Sequence, residues 1–211
     1  MTRFGAPLLI LALLGGCDAS KQEQASAPTS DASEPVLSAS IAPDEKLARS
    51  KTIDAPVGKV RIEEVGLTDG AHVDGGRLAV TYLATGKSYP EAIEGGSFGG
   101  FGEWSVDDRF SANPVIVSHS GGTGQGYTCV TTQLTELRPE GPTKVAEFKS
   151  HFDNEGVPGD KPQSTDGRIV RVDRDRSFAV EFTGTQAFTA VYTRNGNSYE
   201  QQGQPPTLDG C

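Results

Sequence analysis

Short runs in which apolar and polar residues alternate dominate the chain after residue 55, and this pattern constrains the fold most. In the run 177–182, Phe178, Val180 and Phe182 would point to one face of an extended strand, and the residues between them to the other. One buried and one wet face are typical of an antiparallel sheet. Apart from 144–152, which also fits a helical face, no stretch offers three uninterrupted helical turns. The sequence therefore predicts an all-β domain.

Turn residues separate the alternating runs and set the expected architecture. Asn195-Gly196 predicts a hairpin, since Asn-Gly tolerates the positive φ angles of a type I′ turn. Pro139-Glu140-Gly141-Pro142 predicts another turn, and 153–167 has the composition of a long surface loop. With 26 glycines and 13 prolines in the chain, we expect an antiparallel β-sandwich or a small barrel. The predicted strands are 57–65, 77–84, 115–118, 127–137, 144–152, 168–172, 177–182 and 187–193.

The first residues have the layout of a secretory signal peptide. Arg3 precedes an apolar run, 8–14, that is too short to span a bilayer, because spanning needs about 20 apolar residues. Small residues and a cysteine then follow as Leu14-Gly15-Gly16-Cys17. This order resembles the lipobox of bacterial lipoproteins, and the resemblance is confined to the signal region. It implies that residues 1–16 are removed and that Cys17 carries the lipid.

A lipid on Cys17 implies that the protein sits on a membrane of the bacterial cell envelope and faces the periplasm. Several acyl chains, at about 0.8 kcal/mol per buried methylene, hold more firmly than one chain does. In enteric members of this lipoprotein family an aspartate after the cysteine marks retention at the inner membrane. Asp18 therefore favours the inner membrane, unless it is only the first polar residue of a linker.

Composition divides the rest of the chain into a tether and a domain. Residues 17–54 are expected to be the lipidated cysteine and a disordered linker, because 18–50 holds scarcely any large apolar residue. A flexible coil of this length has an r.m.s. span of about 30 Å, which would lift the domain off the membrane. Residues 55–211 are enough for one β domain with its own core.

The charge balance excludes one class of partner. The chain carries 28 acidic and 19 basic residues, for a net charge of −9. Nucleic acid requires a basic face, so we expect no nucleic-acid ligand. Adsorption to anionic headgroups is disfavoured for the same reason, which leaves the acyl chains as the anchor.

The cysteines predict a disulfide. With Cys17 assigned to lipid, Cys129 and Cys211 form an even pair in a compartment that permits disulfides. A bond between them would close a long loop and stabilise the domain by at most about 4 to 5 kcal/mol. The alternative is a buried Cys129 with a loose thiol at the terminus.

Two glycine-rich motifs have catalytic parallels but lack the required context. Gly95-Gly96-Ser97-Phe98-Gly99 matches the nucleophile elbow of α/β-hydrolases, which needs a strand before the serine and a helix after it. The glycine-rich run 121–126 suggests a phosphate-binding loop, which needs the backbone N–H groups of a helix start after it. The β-branched run that follows 126 does not favour a helix start. We therefore assign no catalytic residue.

The sequence predicts no metal or cofactor. Asp173 and Asp175 alternate with arginines but lack the glycine and the later glutamate of a calcium loop. His72, His119 and His151 lie far apart, without the spacing of zinc ligands. The arginines beside the aspartates are expected to pair with them on a solvated turn.

Two groups of residues are candidates for binding. Phe98, Phe101 and Trp104 lie among glycines, where exposed rings could stack on a glycan or anchor a protein partner. The alternative, which the sequence favours, is that these rings fill the core under a loop. The second group is Gly122, Gly124 and Gly126, because glycine lets a ligand approach the backbone closely.

These observations together predict a lipid-anchored envelope lipoprotein with a non-enzymatic binding or scaffolding role, whose ligand is an envelope protein or a glycan. One alternative is an envelope hydrolase that uses His119 with Ser97 or Ser120 and a carboxylate behind the imidazole. Another is an inhibitor of an envelope hydrolase, which differs from the first prediction only in its partner.

Overall fold

The fold is all-β, as predicted. A computed structural model describes residues 41–43, 45–67, 76–95 and 101–203, with only the backbone of Leu67, Phe101 and Gly102. These ranges contain twelve strands and no helix. The strands are β1 (Glu45–Ala55), β2 (Gly58–Leu67), β3 (Arg77–Tyr82), β4 (Lys87–Glu94), β5 (Phe101–Asp107), β6 (Val115–Gly124), β7 (Tyr127–Arg138), β8 (Gly141–Asp153), β9 (Ser164–Asp173), β10 (Ser177–Gly184), β11 (Phe188–Asn195) and β12 (Ser198–Gln201).

The strands form two antiparallel sheets that pack together. One sheet has the order β1-β2-β3-β4, and the other runs from β12 through β11, β10, β9, β8, β7 and β6 to β5. Neighbours in each sheet are neighbours in sequence, as hairpin connections require. No barrel closes among the described strands, so the sandwich prediction is confirmed over the barrel alternative.

Two hydrophobic clusters form the core, and β6 contributes to both. Val115 and Val117 lie in the first cluster, which also holds residues of β7, β8 and β10 to β12. Ile116 lies in the second cluster, where it meets residues of β2, β3 and β4. Alternate residues of β6 thus face opposite sides, and both sides are buried.

Stacked aromatic rings fill the first cluster. The rings of Phe178 and Tyr192 lie parallel with centroids 4.6 Å apart, and Phe148 packs against both. Phe178, Val180 and Phe182 are all buried on β10. The face that the alternation predicted to be buried is therefore buried, but Ala179, on the face expected to be wet, is buried as well.

The folded region begins earlier than composition predicted. Strand β1 starts at Glu45, inside the stretch assigned to the linker, and pairs with β2 along its length. Its side chains are mostly exposed because β1 is an edge strand, so burial never required apolar residues there. Polar contacts fasten it instead: Arg77 Nη2 donates to Glu45 Oε2 at 2.8 Å.

Four of the twelve described strands were not among the predicted strands. These are β1, β4, β5 and β12, and β12 was expected only as the partner strand of the Asn195-Gly196 hairpin. Pro90 lies within β4, where it is tolerated because β4 is the second edge of its sheet. The segment 144–152, which also fitted a helical face, is part of strand β8.

The last hairpin lies where Asn195-Gly196 predicted it, with a different turn. Asn195 pairs with Ser198, so the two loop residues are Gly196 and Asn197. Gly196 has φ of +57°, and Asn197 is not among the residues with positive φ. Glycine at the first loop position with an ordinary residue after it is typical of a type II′ turn, not the predicted type I′.

Two tyrosine hydroxyls link the sheets at the β7–β8 turn. Tyr82 donates to the carbonyl of Arg138 at 2.7 Å, and Tyr89 donates to that of Glu140 at 2.7 Å. Both tyrosines belong to the four-stranded sheet. Arg138 ends β7 of the eight-stranded sheet, and Glu140 lies in the turn that leads into β8. The 139–142 turn predicted from its prolines is thus a fixed part of the interface.

Candidate functional site

The second glycine-rich run forms the tip of the β6–β7 hairpin. Gly122 and Gly124 belong to β6, opposite Cys129 and Tyr127, so this run continues a strand rather than forming a loop. The turn itself is residues 125–126, with φ of +54° and +87°. Positive φ at both positions is the pattern of a type I′ turn. These glycines extend a hairpin and lead into strand β7, not into the helix start that a phosphate cradle needs.

A long loop, 154–163, packs against this tip. A Cβ added to Gly126 would lie 2.5 Å from the carbonyl oxygen of Gly156, so the two backbones are in contact. Tyr127 donates its hydroxyl to Asp160 Oδ2 at 3.3 Å and stacks on Phe152. The charge of Asp160 raises the pKa of Tyr127. We call residues 122–127 and 153–163 together the hairpin rim.

Asn154 closes the loop of the hairpin rim. It is 5% exposed, and its backbone N–H donates to the carbonyl of Gln163 at 3.0 Å. In return the N–H of Gln163 donates to Asn154 Oδ1 at 2.6 Å. The loop predicted over 153–167 is therefore shorter, with both ends bound together, and its exposed residues are held in place.

A matched pair of substitutions tests how closely the hairpin is packed. A methyl group at Gly121 would overlap the backbone of Cys129 and Val130, whereas one at Gly124 would meet nothing within 4 Å. We expect Gly121→Ala to lower the free energy of unfolding by about 1 to 3 kcal/mol. Gly124→Ala should stay within about 0.5 kcal/mol of the wild type. Urea unfolding of both variants measures the difference, and equal losses would contradict the packing.

Trp104 is a core residue in the structure. Its ring is 6% exposed and belongs to the second cluster. Its Nε1 donates to Glu64 Oε2 at 2.7 Å, and the guanidinium of Arg49 lies 4.4 Å from the ring centroid. This placement fits the core interpretation of the aromatic segment. Phe98 lies outside the described residues, and of Phe101 only the backbone, in β5, is described.

His119 lies in a chain of hydrogen bonds across β6, β7 and β8. Its Nδ1 is 2.7 Å from Thr132 Oγ1, and Thr132 donates to Ser150 Oγ at 2.7 Å. Thr132 donates its one hydroxyl proton to Ser150, so it can only accept from His119. The Nδ1 of His119 is therefore the protonated nitrogen that donates to Thr132 Oγ1. Burial lowers the pKa of His119, while the charge of Glu103 opposes that shift.

Among the described residues, His119 and Ser120 do not form the nucleophile–base pair of a hydrolase. Ser120 follows His119 on the same strand, so the two side chains point to opposite faces. The hydroxyl that meets the imidazole belongs to Thr132, which is 1% exposed. Ser97, the other serine considered, lies outside the described residues.

The other residues considered as metal ligands, where the structure describes them, contact protein groups. His151 Nδ1 lies 2.7 Å from Asp166 Oδ1 on the next strand, while His72 lies outside the described ranges. Arg174, expected to pair with a neighbouring acid, donates instead to the carbonyl of Ser111 at 2.6 Å. The described part of the chain contains no group of three or more His, Cys, Asp or Glu residues that could hold a metal ion.

A buried carboxylate that sequence reasoning missed organises one end of the sandwich. Glu136 Oε1 accepts from Ser111 Oγ at 2.6 Å and from Asn113 Nδ2 at 3.2 Å. Its Oε2 accepts from Arg138 Nη2 at 2.7 Å and from Arg194 Nη2 at 3.0 Å. We call these five residues the Glu136 cluster. The sequence offered one sign of this cluster: Glu136 and Arg138 are two residues apart on one strand, so their side chains share a face.

The Glu136 cluster holds its carboxylate in the charged form. The side chain of Glu136 is 3% exposed, and this burial raises its pKa. Hydrogen bonds, first from Ser111 and then from Arg138, Asn113 and Arg194, outweigh the burial and lower the pKa to about 2. The network is thus a structural ion pair with every oxygen satisfied.

The low pKa of Glu136 predicts a loss of stability in acid. The pKa of Glu136 is about 2 in the folded protein against 4.5 for an unperturbed glutamate, so its contribution to stability is complete above pH 4.5 and disappears as the pH falls towards 2. The full loss is at most about 3 kcal/mol. Urea unfolding from pH 7 to pH 2.5 measures it, with Glu136→Gln as the control that should show a smaller acid slope. Equal slopes would contradict the assignment.

The cysteine predictions fall largely outside the described residues. Cys129 is half-buried against the first hydrophobic cluster, but Cys17 and Cys211 are not described. Lipidation of Cys17 and the Cys129–Cys211 disulfide therefore stay predictions. Within the described ranges, no helix is long and apolar enough to cross a membrane.

Comparison with known proteins gives no relative from which a function could be transferred. No protein family, curated protein or solved structure matches this chain.

Proposed function

We propose that this chain is a lipid-anchored lipoprotein of the bacterial cell envelope whose β-sandwich binds an envelope protein or a glycan without catalysing a reaction. The observation that carries the proposal is the motif Leu14-Gly15-Gly16-Cys17 after a basic residue and a short apolar run. Cys17 would carry the lipid, and Asp18 favours the inner membrane. The polar residues between Cys17 and β1 would serve as the tether.

The hairpin rim supports a binding role for the domain. It combines Gly122, Gly124 and Gly126 with a loop whose ends are bonded together through Asn154. Most of the loop side chains are exposed, as at Glu155 and 158–162. A ligand can approach glycine backbone closely, and a fixed loop loses little entropy when it binds. We infer that the rim is the surface that contacts the partner.

A binding role is favoured over hydrolysis by the surroundings of His119. A hydrolase needs a nucleophile that substrate can reach, and the hydroxyls of Thr132 and Ser150 in this chain are both buried. An inhibitor of an envelope hydrolase remains one form of the binding role, since only the partner differs.

A disulfide between Cys129 and Cys211 would complete the domain. It would fasten the end of the chain to β7, two residues from the start of that strand at the hairpin rim. Mass spectrometry of a non-reduced digest tests the pairing. A linked pair of peptides containing these two cysteines supports it, and a free thiol at either position contradicts it.

The anchor is tested by substitution of the cysteine. Cys17→Ser should abolish fatty-acid labelling and release the domain from the membrane fraction, whereas Cys129→Ser should leave the label in place. Undiminished labelling of Cys17→Ser would remove the anchor from the proposal. Replacing Asp18 by serine and separating the two membranes tests the inner-membrane assignment.

The binding surface is tested by crosslinking in intact envelopes. A photoreactive residue at Gln125 or Glu155 places the crosslinker on the hairpin rim, and one at Lys144, an exposed residue of β8, is the control. We expect a defined protein or glycan adduct from the rim positions and none from Lys144. Equal adducts from all positions, or hydrolysis of envelope material by the purified domain, would contradict the proposal.

A further inference from the structure

We propose that Asn195, at the tip of the β11–β12 hairpin, is a site of spontaneous deamidation and isoaspartate formation. Asn195 and Gly196 are both exposed, and Asn195 is the last residue of β11. A Cβ added at Gly196 would meet nothing within 4 Å, so the space beside its Cα is open. In the described part of the chain that nitrogen donates no backbone hydrogen bond. It is therefore available as a nucleophile.

The reaction needs only water. The backbone nitrogen of Gly196 attacks Cγ of Asn195, and a C–N bond forms while the Cγ–Nδ2 bond breaks. The leaving NH2 group takes the proton lost by the attacking nitrogen and departs as ammonia, which leaves a cyclic succinimide. Water then opens the ring at either carbonyl. One opening gives aspartate, and the other gives isoaspartate, in which the main chain passes through the former side chain.

The hairpin is also a place where the chain can open far enough to react. The attack requires Asn195 to leave its ladder position opposite Ser198. Strand β12 is four residues long, pairs only with β11 and is the edge of its sheet. Short edge pairs open locally at a lower free-energy cost than the whole domain. The protein therefore reaches the reactive geometry without global unfolding.

The other three asparagines of the chain lack one of these conditions. Asn113 precedes Pro114, whose nitrogen carries no hydrogen. Asn154 is 5% exposed, and its side chain is bound by the backbone of 161 and 163. Asn197 precedes Ser198, which has a side chain and belongs to the β12 ladder. They serve as internal controls.

The product would loosen the hairpin. Asn195 Nδ2 donates to Glu200 Oε1 at 3.0 Å, and conversion would place two carboxylates across this gap. Isoaspartate also lengthens the main chain beside Asn197, whose carbonyl accepts from Arg138 at 2.9 Å. Arg138 is a member of the Glu136 cluster. The modification thus weakens contacts between the hairpin and the buried carboxylate.

Peptide mapping of the aged protein tests the proposal. The full chain is incubated at mildly alkaline pH, and isoaspartate is located by enzymatic methyl labelling and mass spectrometry. We expect deamidation, read from the mass change that accompanies loss of ammonia, at Asn195, at none of the other three asparagines, and at no asparagine of Asn195→Gln. Isoaspartate from an Asp-Gly pair, such as Asp166-Gly167, leaves the mass unchanged and is told apart in this way. An unmodified Asn195 after a time that converts the free peptide 190–200, or equal modification of Asn154, would overturn the assignment.

A second measurement tests the link to stability. Aged wild-type protein should unfold at a lower urea concentration than fresh protein, while Asn195→Gln should keep its midpoint through the same incubation. In Glu200→Gln the drop should be smaller, because the facing carboxylate is gone. A modified protein with an unchanged midpoint would overturn the proposed loosening of the hairpin.

Discussion

Replacing Glu136 by alanine is expected to lower the free energy of unfolding by about 3 to 5 kcal/mol. The substitution leaves Arg138 and Arg194 with two guanidinium groups that have lost their shared acceptor. The side chain of Arg138 is 7% exposed, so water cannot fully replace the carboxylate. It also removes one of the two acceptors of Ser111 Oγ, the carboxylate at 2.6 Å, and leaves only the carbonyl of Asn113 at 2.8 Å.

An exposed ion pair provides the matched control. Lys144 and Glu147 lie 3.0 Å apart on the surface of β8, with both side chains about half exposed. Exposed pairs contribute at most about 1 kcal/mol, so Glu147→Ala should change stability little. Urea unfolding at pH 7 compares the two variants. If Glu136→Ala lost no more than Glu147→Ala, the Glu136 cluster would not stabilise the fold as described.

Trp104→Ala is expected to lower the free energy of unfolding by about 3 to 5 kcal/mol. The indole lies among residues of both sheets in the second cluster, including Leu78 and Ile116. Its removal leaves a cavity between the sheets and takes the Nε1 donor from Glu64. Arg49 also loses the ring over which it lies.

Trp104→Phe separates the two contributions of the indole. Phenylalanine keeps most of the apolar volume but cannot donate to Glu64, so its loss should be smaller, on the order of 1 to 3 kcal/mol. Denaturant unfolding of both variants gives the comparison. A Trp104→Ala protein with wild-type stability that no longer binds its envelope partner would contradict the core assignment and support a binding role for the ring.

Local patterns were enough to locate most strands. In β10, alternation of Phe178, Val180 and Phe182 with smaller or polar residues predicted the buried face, and in β7 and β11 similar runs gave strands close to the observed bounds. The hairpin at Asn195-Gly196 was also found in its place. Each of these features depends on residues that are near one another in sequence.

Strands that lack alternation could not be found in this way. Strand β1 is an edge strand with mainly exposed, polar side chains, and it resembles a linker in composition. Strand β4 contains Pro90, which is compatible with a strand only at an edge. Whether a segment lies at an edge depends on the arrangement of the whole sheet.

The features proposed to be functional also divide into those that local sequence predicts and those that only the tertiary structure shows. The proposed anchor depends on residues close together in sequence, because the resemblance to a lipobox is carried by the short motif that ends at Cys17. The hairpin rim does not, since it requires the tip of β6 and β7 to meet the loop 154–163. The turn type at Gly196 likewise depended on the pairing of β11 with β12.

The sequence by itself determined that this chain is all-β and where most of its strands lie, and it supplied the motif Leu14-Gly15-Gly16-Cys17 from which a lipid anchor is proposed. Only the tertiary structure decided that β6 is buried on both faces and that Trp104 lies between the sheets. It also decided that the charged carboxylate of Glu136 is paired with Arg138 and Arg194. The physical reason is the range of the interactions. Alternation and turns act over a few residues, whereas burial and charge pairing join side chains that are far apart along the chain.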